Sequence, residues 1–223
     1  MLHNKMNQAG DKKFILRLSK YKRVLQQFKA LGMERVFSNN LGDAIDVTPT
    51  TVRKDFAELN IPGSKRGGYV IDEVLKRVNE LLEQDKPKKL IVVGCGKIGT
   101  ALLMYKGFEQ DGLMAVAGFD IDPKKIDPNA TIPIFPLEEL KTFVKKNNIK
   151  VGIISVPAES ASRVLDLMIE AGIRGVLNFA PVELKYTKRF IAKNDHTAGC
   201  IIHNMHISPE LINLFFLVKK QEE

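Results

Sequence analysis

Residues 90–99 read Leu90-Ile91-Val92-Val93-Gly94-Cys95-Gly96-Lys97-Ile98-Gly99: an apolar run of strand length breaks into a glycine turn and opens an amphipathic stretch, Ile98-Thr100-Ala101-Leu102-Leu103-Tyr105. Strand, glycines and helix in that order are the context that a G-x-G-x-x-G fingerprint requires. In a dinucleotide-binding turn Gly94 makes the tight bend, Gly96 lets backbone approach a pyrophosphate, and Gly99 lets the helix pack closely on the strand. N–H groups at the helix start face the phosphates. The candidate cofactor residues here are Gly94, Cys95, Gly96, Lys97, Ile98 and Gly99. A second apolar run, Leu113 to Phe119, ends at Asp120, about 20 residues past the last glycine, where such folds place a carboxylate on the adenine ribose. An anion there repels a 2′-phosphate and favours NAD over NADP, whereas Lys124 and Lys125 read as a solvated turn.

The fingerprint lies mid-chain, so something else occupies the N-terminal third. With 223 residues and 44% apolar content, the chain has room for two small domains that each bury a core. Cys95 and Cys200 make no disulfide framework, Met1 to Lys13 lacks the apolar segment of a signal peptide, and no run has the length of a membrane span. The expected setting is soluble and cytoplasmic. The net charge of +8 is uneven: residues 1–86 hold 16 Lys+Arg against 11 Asp+Glu, and the remainder 18 against 15. That excess is compatible with phosphate contact in the N-terminal third, although many basic domains bind no nucleic acid.

Phe14, Leu18, Tyr21, Val24/Leu25, Phe28 and Leu31 recur at helical spacing up to Gly32. Ser38 is a candidate N-cap of a short second helix, and Thr48-Pro49 reads as cap plus first residue of a third, reaching Leu59. The third helix would present Thr50, Thr51, Arg53 and Lys54 to a major groove while Val52 and Phe56 pack inward. Residues 61–71 carry Lys65 and Arg66 amid glycines and predict two short strands around a basic tip, a wing. Asp72 would cap a fourth helix. This is the order of a winged-helix DNA reader, an architecture that also serves as a plain interaction module.

In the C-terminal part, strand runs at Val151–Ser155 and Gly175–Phe179 alternate with a helix from Ala158 to Ala171, which predicts a doubly wound parallel sheet with its ligand beyond the strands' carboxyl ends. Val156, Pro157, Ala158 and Asn178, Phe179, Ala180, Pro181 then face the cofactor edge, or simply stop their strands. The tail from Pro209 to Val218 is too apolar for water and must be covered, by its own domain or by a second copy.

Taken together, Val52-Arg53-Lys54-Asp55, Gly68-Tyr69, the glycine fingerprint, Phe119-Asp120-Ile121-Asp122-Pro123, Val156-Pro157-Ala158, Ala171-Gly172-Ile173 and Asn178-Phe179-Ala180-Pro181 resemble the Rex family of redox-sensing transcriptional repressors. The resemblance implies an α/β architecture. A flexible start (1–13) precedes a winged-helix DNA-binding domain (14–86), a Rossmann-type NAD(H)-binding domain (87–206) and a swapped C-terminal dimerisation helix (207–223). It implies a homodimer that holds double-stranded operator DNA, an AT-rich palindrome, and releases it when NADH binds. It further implies a link between cofactor and DNA through a tyrosine, an arginine and an aspartate. Arg17 and Tyr105 match the first two of these switch positions in kind, but His206 stands where the family has aspartate. An imidazole lacks the carboxylate's charge-assisted bond, so a paralogue with an altered or lost NADH response is a second reading. In the wing, Lys65 rather than Arg66 occupies the family's arginine position.

His196, Cys200, His203 and His206 could be read as metal ligands, but their spacing matches no common zinc pattern and no metal is assigned. Cys95 could be a thiol activated by the helix end, or a small residue that fits the turn. A third reading, an NAD-dependent oxidoreductase, finds too little chain after Asn178 for a substrate domain and no acid/base pair. No catalytic residue is assigned.

Overall fold

Phe14, Leu18, Tyr21 and Leu25 lie on one stripe of the first helix, α1 (Gln8–Ala30), and all four are buried. The computed structural model describes residues 8–63, 66–82, 87–185 and 199–222. Contacts divide the chain into two units, residues 1–86 and 87–223. The helix begins at Gln8, inside the stretch expected to be a flexible start, because extending a helix that burial has already nucleated costs little per residue.

In the first unit, α1 leads to β1 (Arg35–Val36), α2 (Ser38–Ile45), α3 (Pro49–Glu58), β2 (Tyr69–Val70) and α4 (Ile71–Leu81). Ser38 is the first residue of α2, not its cap; Phe37 holds the cap position and supplies no side-chain acceptor. Asp46, in the left-handed region at φ 59°, turns the chain out of α2. Thr48 then caps α3 by accepting the Thr51 N–H, with Pro49 in the first turn, where its missing N–H costs nothing. Gly42 makes that turn possible, since a Cβ there would stand 2.6 Å from the Val47 carbonyl oxygen.

The wing is built differently from expectation. Tyr69–Val70 pairs antiparallel with Arg35–Val36, and no second strand lies in the described part of 61–71. Pro62 cannot donate to a ladder, and Ile61 is drawn into the core. Asp72 does not cap α4 either; Val70 holds that position and Asp72 pairs with Lys29 at 2.6 Å. The core joins the buried faces of α1 to α4, with Phe56 edge-on between Tyr21 (5.3 Å) and Tyr69 (4.7 Å).

A carboxylate is buried in that core. Asp55, 1% exposed on α3, accepts two bonds from Arg17, Nε at 2.6 Å and a terminal nitrogen at 2.7 Å, and a third from the Tyr21 hydroxyl at 2.8 Å. The hydrogen bond to Asp55 raises the Arg17 pKa, and burial followed by the same carboxylate raises that of Tyr21.

The second unit contains β3 (Lys88–Val93), α5 (Lys97–Leu103), α6 (Gly107–Gln110), β4 (Leu113–Asp120), β5 (Ile134–Pro136), α7 (Leu140–Asn147), β6 (Val151–Ile154), α8 (Ala158–Ala171), β7 (Gly175–Asn178), β8 (Ile201–Asn204) and α9 (Ile207–Glu222). The described strands form one parallel sheet in the order β5-β4-β3-β6-β7-β8. Alternate residues of β3 feed opposite faces: Ile91 and Val93 pack with α7 and α8, and Leu90 and Val92 pack with Leu103 of α5. A strand covered on both sides reads as a continuous apolar run. The strand order reverses between β3 and β6, the switch point at which such sheets bind ligands.

On α9, Leu211, Leu214, Phe215 and Val218 form a stripe that is 45 to 76% exposed in the single chain. Among the described residues no helix is long and apolar enough to cross a membrane.

Removing a buried acceptor strands its donors, so Asp55→Ala is expected to cost about 3 kcal/mol and Tyr21→Phe about 1 kcal/mol. Urea unfolding followed by helical circular dichroism measures both. An Asp55→Ala midpoint within error of the parent would contradict the role given to this carboxylate.

Candidate dinucleotide site and nucleic-acid interface

At the switch point the carboxyl ends of β3 and β6 are fastened together. The Ser155 N–H donates to the Val93 carbonyl at 2.9 Å, and the Ser155 hydroxyl to that of Gly94 at 2.8 Å. Gly94 has φ +92°, and a Cβ on it would stand 2.6 Å from the Ser155 carbonyl oxygen. A Cβ on Gly99 would overlap the Gly94 carbonyl oxygen. Gly96 differs: nothing lies within 4 Å of where its Cβ would be. Space is open on that side, and the first N–H groups of α5 have no intrahelical acceptor. A pyrophosphate needs both conditions, and the residues present therefore fit a dinucleotide.

Asp120 at the end of β4 is 6% exposed. Its Oδ2 accepts the Cys95 N–H at 2.7 Å and the Lys125 ammonium at 3.2 Å, and its Oδ1 accepts the Asp122 N–H at 2.9 Å. Burial pushes its pKa up, but those N–H groups and Lys125 outweigh it and hold the carboxyl below its ordinary value. Lys125 is thus engaged with Asp120, not part of a solvated turn. Cys95 is 4% exposed; burial, and then the Asp120 charge, push its thiol up to about 11, which contradicts the reading of an activated thiol.

Lys97 and Ile98 stand exposed in the first turn of α5; Val156 and Ala158 are half-buried and Pro157 exposed at the end of β6. Asn178 is fully buried and spends its carboxamide on structure. Its Nδ2 donates to Val182 O (2.7 Å) and Asn204 Oδ1 (2.8 Å), and its Oδ1 accepts the Ala180 N–H (2.9 Å). It shapes the turn carrying half-buried Phe179, buried Ala180 and exposed Pro181. Residues that sequence reasoning missed here are Asn204, the far half of this clasp, and Thr100, whose hydroxyl donates to the Cys95 carbonyl at 3.1 Å.

In the first unit Thr50, Arg53, Lys54 and Arg66 are exposed and Thr51 is half-buried; Lys65 lies outside the described residues. The Thr51 hydroxyl is bound to that of the cap, Thr48, at 2.9 Å. Arg53 donates to Ser38 Oγ at 3.2 Å and to Thr50 Oγ1 at 3.0 Å. Arg35 Nε donates to the Gly67 carbonyl at 2.7 Å and ties the wing to β1.

Of the switch candidates, Arg17 is bound to Asp55. Tyr105 lies beyond the end of α5, because that helix stops at Leu103 and not after the tyrosine. The residue is 56% exposed and its ring sits edge-on to Phe108 at 5.1 Å. His206 is half-buried ahead of α9. Among the described residues no group of three or more His, Cys, Asp or Glu could hold a metal ion; His196 is outside them. Burial raises the Cys200 thiol pKa.

Residues 85–182 match a family model described as "CoA binding domain", and residues 12–57 one described as "Putative DNA-binding protein N-terminus". A redox-sensing transcriptional repressor Rex of Listeria welshimeri is 33% identical over 204 residues, covering 91% of this chain and 90% of the relative. A crystal structure of RSP with β-NAD+ and operator DNA superposes with a TM-score of 0.81 at 26% identity, covering 98% of this chain and 95% of that one. A structure of RSP with β-NADH gives 0.76, also at 26% identity, covering 95% of each chain.

Because a Cβ on Gly99 must displace the Gly94 carbonyl, Gly99→Ala is expected to weaken NAD(H) binding at least 100-fold by isothermal titration; an affinity near the parent's would refute this geometry. A thiol with a pKa of about 11 is roughly three parts in ten thousand thiolate at pH 7.5. Cys95 should therefore resist iodoacetamide in the native protein and react once unfolded in urea, as mass spectrometry reads directly.

Proposed function

Since the chain belongs to the Rex family of redox-sensing transcriptional repressors, we propose that it binds operator DNA as a repressor, senses the NADH/NAD+ ratio, and releases the DNA when NADH binds. The observation that carries this reading is the pairing of two sites in one chain: a recognition helix with exposed Thr50, Arg53 and Lys54, and an open glycine turn at the switch point of a parallel sheet. A CoA-binding domain shares that turn, but likeness to a Rex repressor across 91% of the chain includes the helix-turn-helix as well.

In this reading α3 enters the major groove, with Arg53 and Lys54 toward bases and phosphates and the wing's Lys65 and Arg66 toward the neighbouring backbone. The cofactor contacts are Gly94, Cys95, Gly96, Lys97, Ile98 and Gly99, with the ends of β6 and β7 at the other side of the crevice. Asp120 keeps its charge at neutral pH and takes the adenine ribose hydroxyls, which selects NAD(H). When bound, the dinucleotide supplies a nicotinamide ring that is cationic when oxidised and neutral when reduced. The dinucleotide is a signal here and not a reactant. A second copy covers the apolar stripe of α9, giving a homodimer that matches a palindromic operator, and the protein works in the cytoplasm.

A second reading, a DNA-binding paralogue with an altered or lost NADH response, is favoured by one observation. Arg17 is already bound to the buried Asp55, and residue 206 offers no carboxylate to compete for it. A ligand shifts an equilibrium only by its differential affinity for the two states.

Fluorescence anisotropy on an AT-rich palindrome separates the readings. The sensor predicts tight binding with NAD+ or no nucleotide and release with NADH alone. Indifference to both nucleotides would refute the sensor and leave the paralogue, in which His206→Asp should install a response. Independently, Arg53→Ala is expected to weaken operator binding at least tenfold while NAD(H) affinity is unchanged; an unchanged operator Kd would count against α3 as the recognition helix.

A further inference from the structure

The guanidinium of Arg53 is held by hydroxyls from two different helices. Thr50 Oγ1, one turn earlier on α3, accepts at 3.0 Å, and Ser38 Oγ, at the start of α2, accepts at 3.2 Å. The first bond is local. The second crosses the helix-turn-helix and fixes the direction in which the long side chain leaves α3.

Ser38 does no capping work that would account for it. The N-cap of α2 is Phe37, without a side-chain acceptor, and the Ser38 hydroxyl is turned to Arg53 instead. An arginine carries five N–H donors. With two of them spent on Ser38 and Thr50, three remain, enough for a bidentate contact to guanine or to a phosphate. Arginine also has much rotamer freedom to lose on binding, and a side chain already held in its bound direction loses less.

Resting on the reading of α3 as a recognition helix, we propose that Ser38 is a positioning residue for DNA recognition: it aims Arg53, and so sets specificity for the operator without itself reading a base. The consequence is selective. Removing the Ser38 hydroxyl leaves every charge in place, so phosphate-driven, sequence-independent binding is unchanged, and only the contact that depends on Arg53's direction weakens.

A double-mutant cycle tests this with the full chain. The probes are the tightest duplex that the parent protein selects from an AT-rich palindromic library and a scrambled duplex of equal length, both at low salt so that every variant binds measurably. Ser38→Ala should weaken operator binding three- to tenfold, change scrambled-duplex binding less than twofold, and leave the salt slope unaltered. In an Arg53→Ala background the same change should have no effect, and Ser38→Thr should restore the parent's operator affinity. An equal loss in both backgrounds would overturn the proposal, because Ser38 would then act through α2 or by touching DNA itself. So would no loss at all. A parent protein that selects no duplex would instead refute the DNA-binding reading, and the inference would fall with it. A measurement on the free protein stands apart from DNA: the Arg53 Nε–H in 15N relaxation should become more mobile in Ser38→Ala, and unchanged mobility would contradict the tether.

Discussion

The approach of Gly94 to the end of β6 is the constraint on which the second unit depends. A parallel sheet can present a ligand crevice only where its strand order reverses, and here the reversal falls between β3 and β6. Three contacts close the junction: the Ser155 N–H on Val93, the Ser155 hydroxyl on Gly94, and the carbonyl of Gly94 under Gly99. The closeness of the junction leaves no volume for a Cβ on Gly94, which would meet the Ser155 carbonyl oxygen, or on Gly99, which would meet that of Gly94. The one glycine of the turn with open space around it is Gly96. Packing inside the protein thus accounts for two of the three glycines, and only the third faces open space.

Asp55 has the corresponding place in the first unit. A carboxylate buried without partners would be costly, and Asp55 is instead satisfied by a two-pronged Arg17 and by Tyr21. Both donors come from α1, the acceptor from α3. The bonds therefore fix how α3 rolls against α1, which in turn decides that Val52 and Phe56 point inward and Thr50, Arg53 and Lys54 outward. The exposed face of α3 is braced from behind by a polar contact buried in the core.

What the sequence disclosed follows from this physics. β3, β4, β6 and β7 were legible because strands covered on both faces are uninterrupted apolar runs, and α3 because Thr48-Pro49 is a local start signal. The three-residue β5, the α7 that follows it and the edge strand β8 carry too little pattern to be read without their neighbours. The pattern of 61–71 predicts both strands of the wing within that segment, whereas β2 pairs with Arg35–Val36, a choice made by tertiary contact. Ser38 looked like a cap because serine at a helix start usually is one; its bond to Arg53 spans fifteen positions, and no local signal records it. Asp55 was visible as part of a motif, but nothing local distinguishes a buried acceptor from a solvated aspartate on a helix.

The same contact bears on how a nucleotide signal could reach the DNA-binding helices. If Arg17 were to leave Asp55 for another partner, the buried carboxylate would retain only the Tyr21 hydroxyl, and breaking a buried pair in this way costs about 3–5 kcal/mol. A competing carboxylate could repay part of that cost with a bond of the same kind. Arg17 already holds a two-pronged bond to Asp55, and a displaced guanidinium would need an anionic, two-oxygen acceptor of equal quality. A switch that moves Arg17 is therefore uphill in this chain. The balance keeps Arg17 on Asp55, so that α1 and α3 are held together as one rigid part of the first unit.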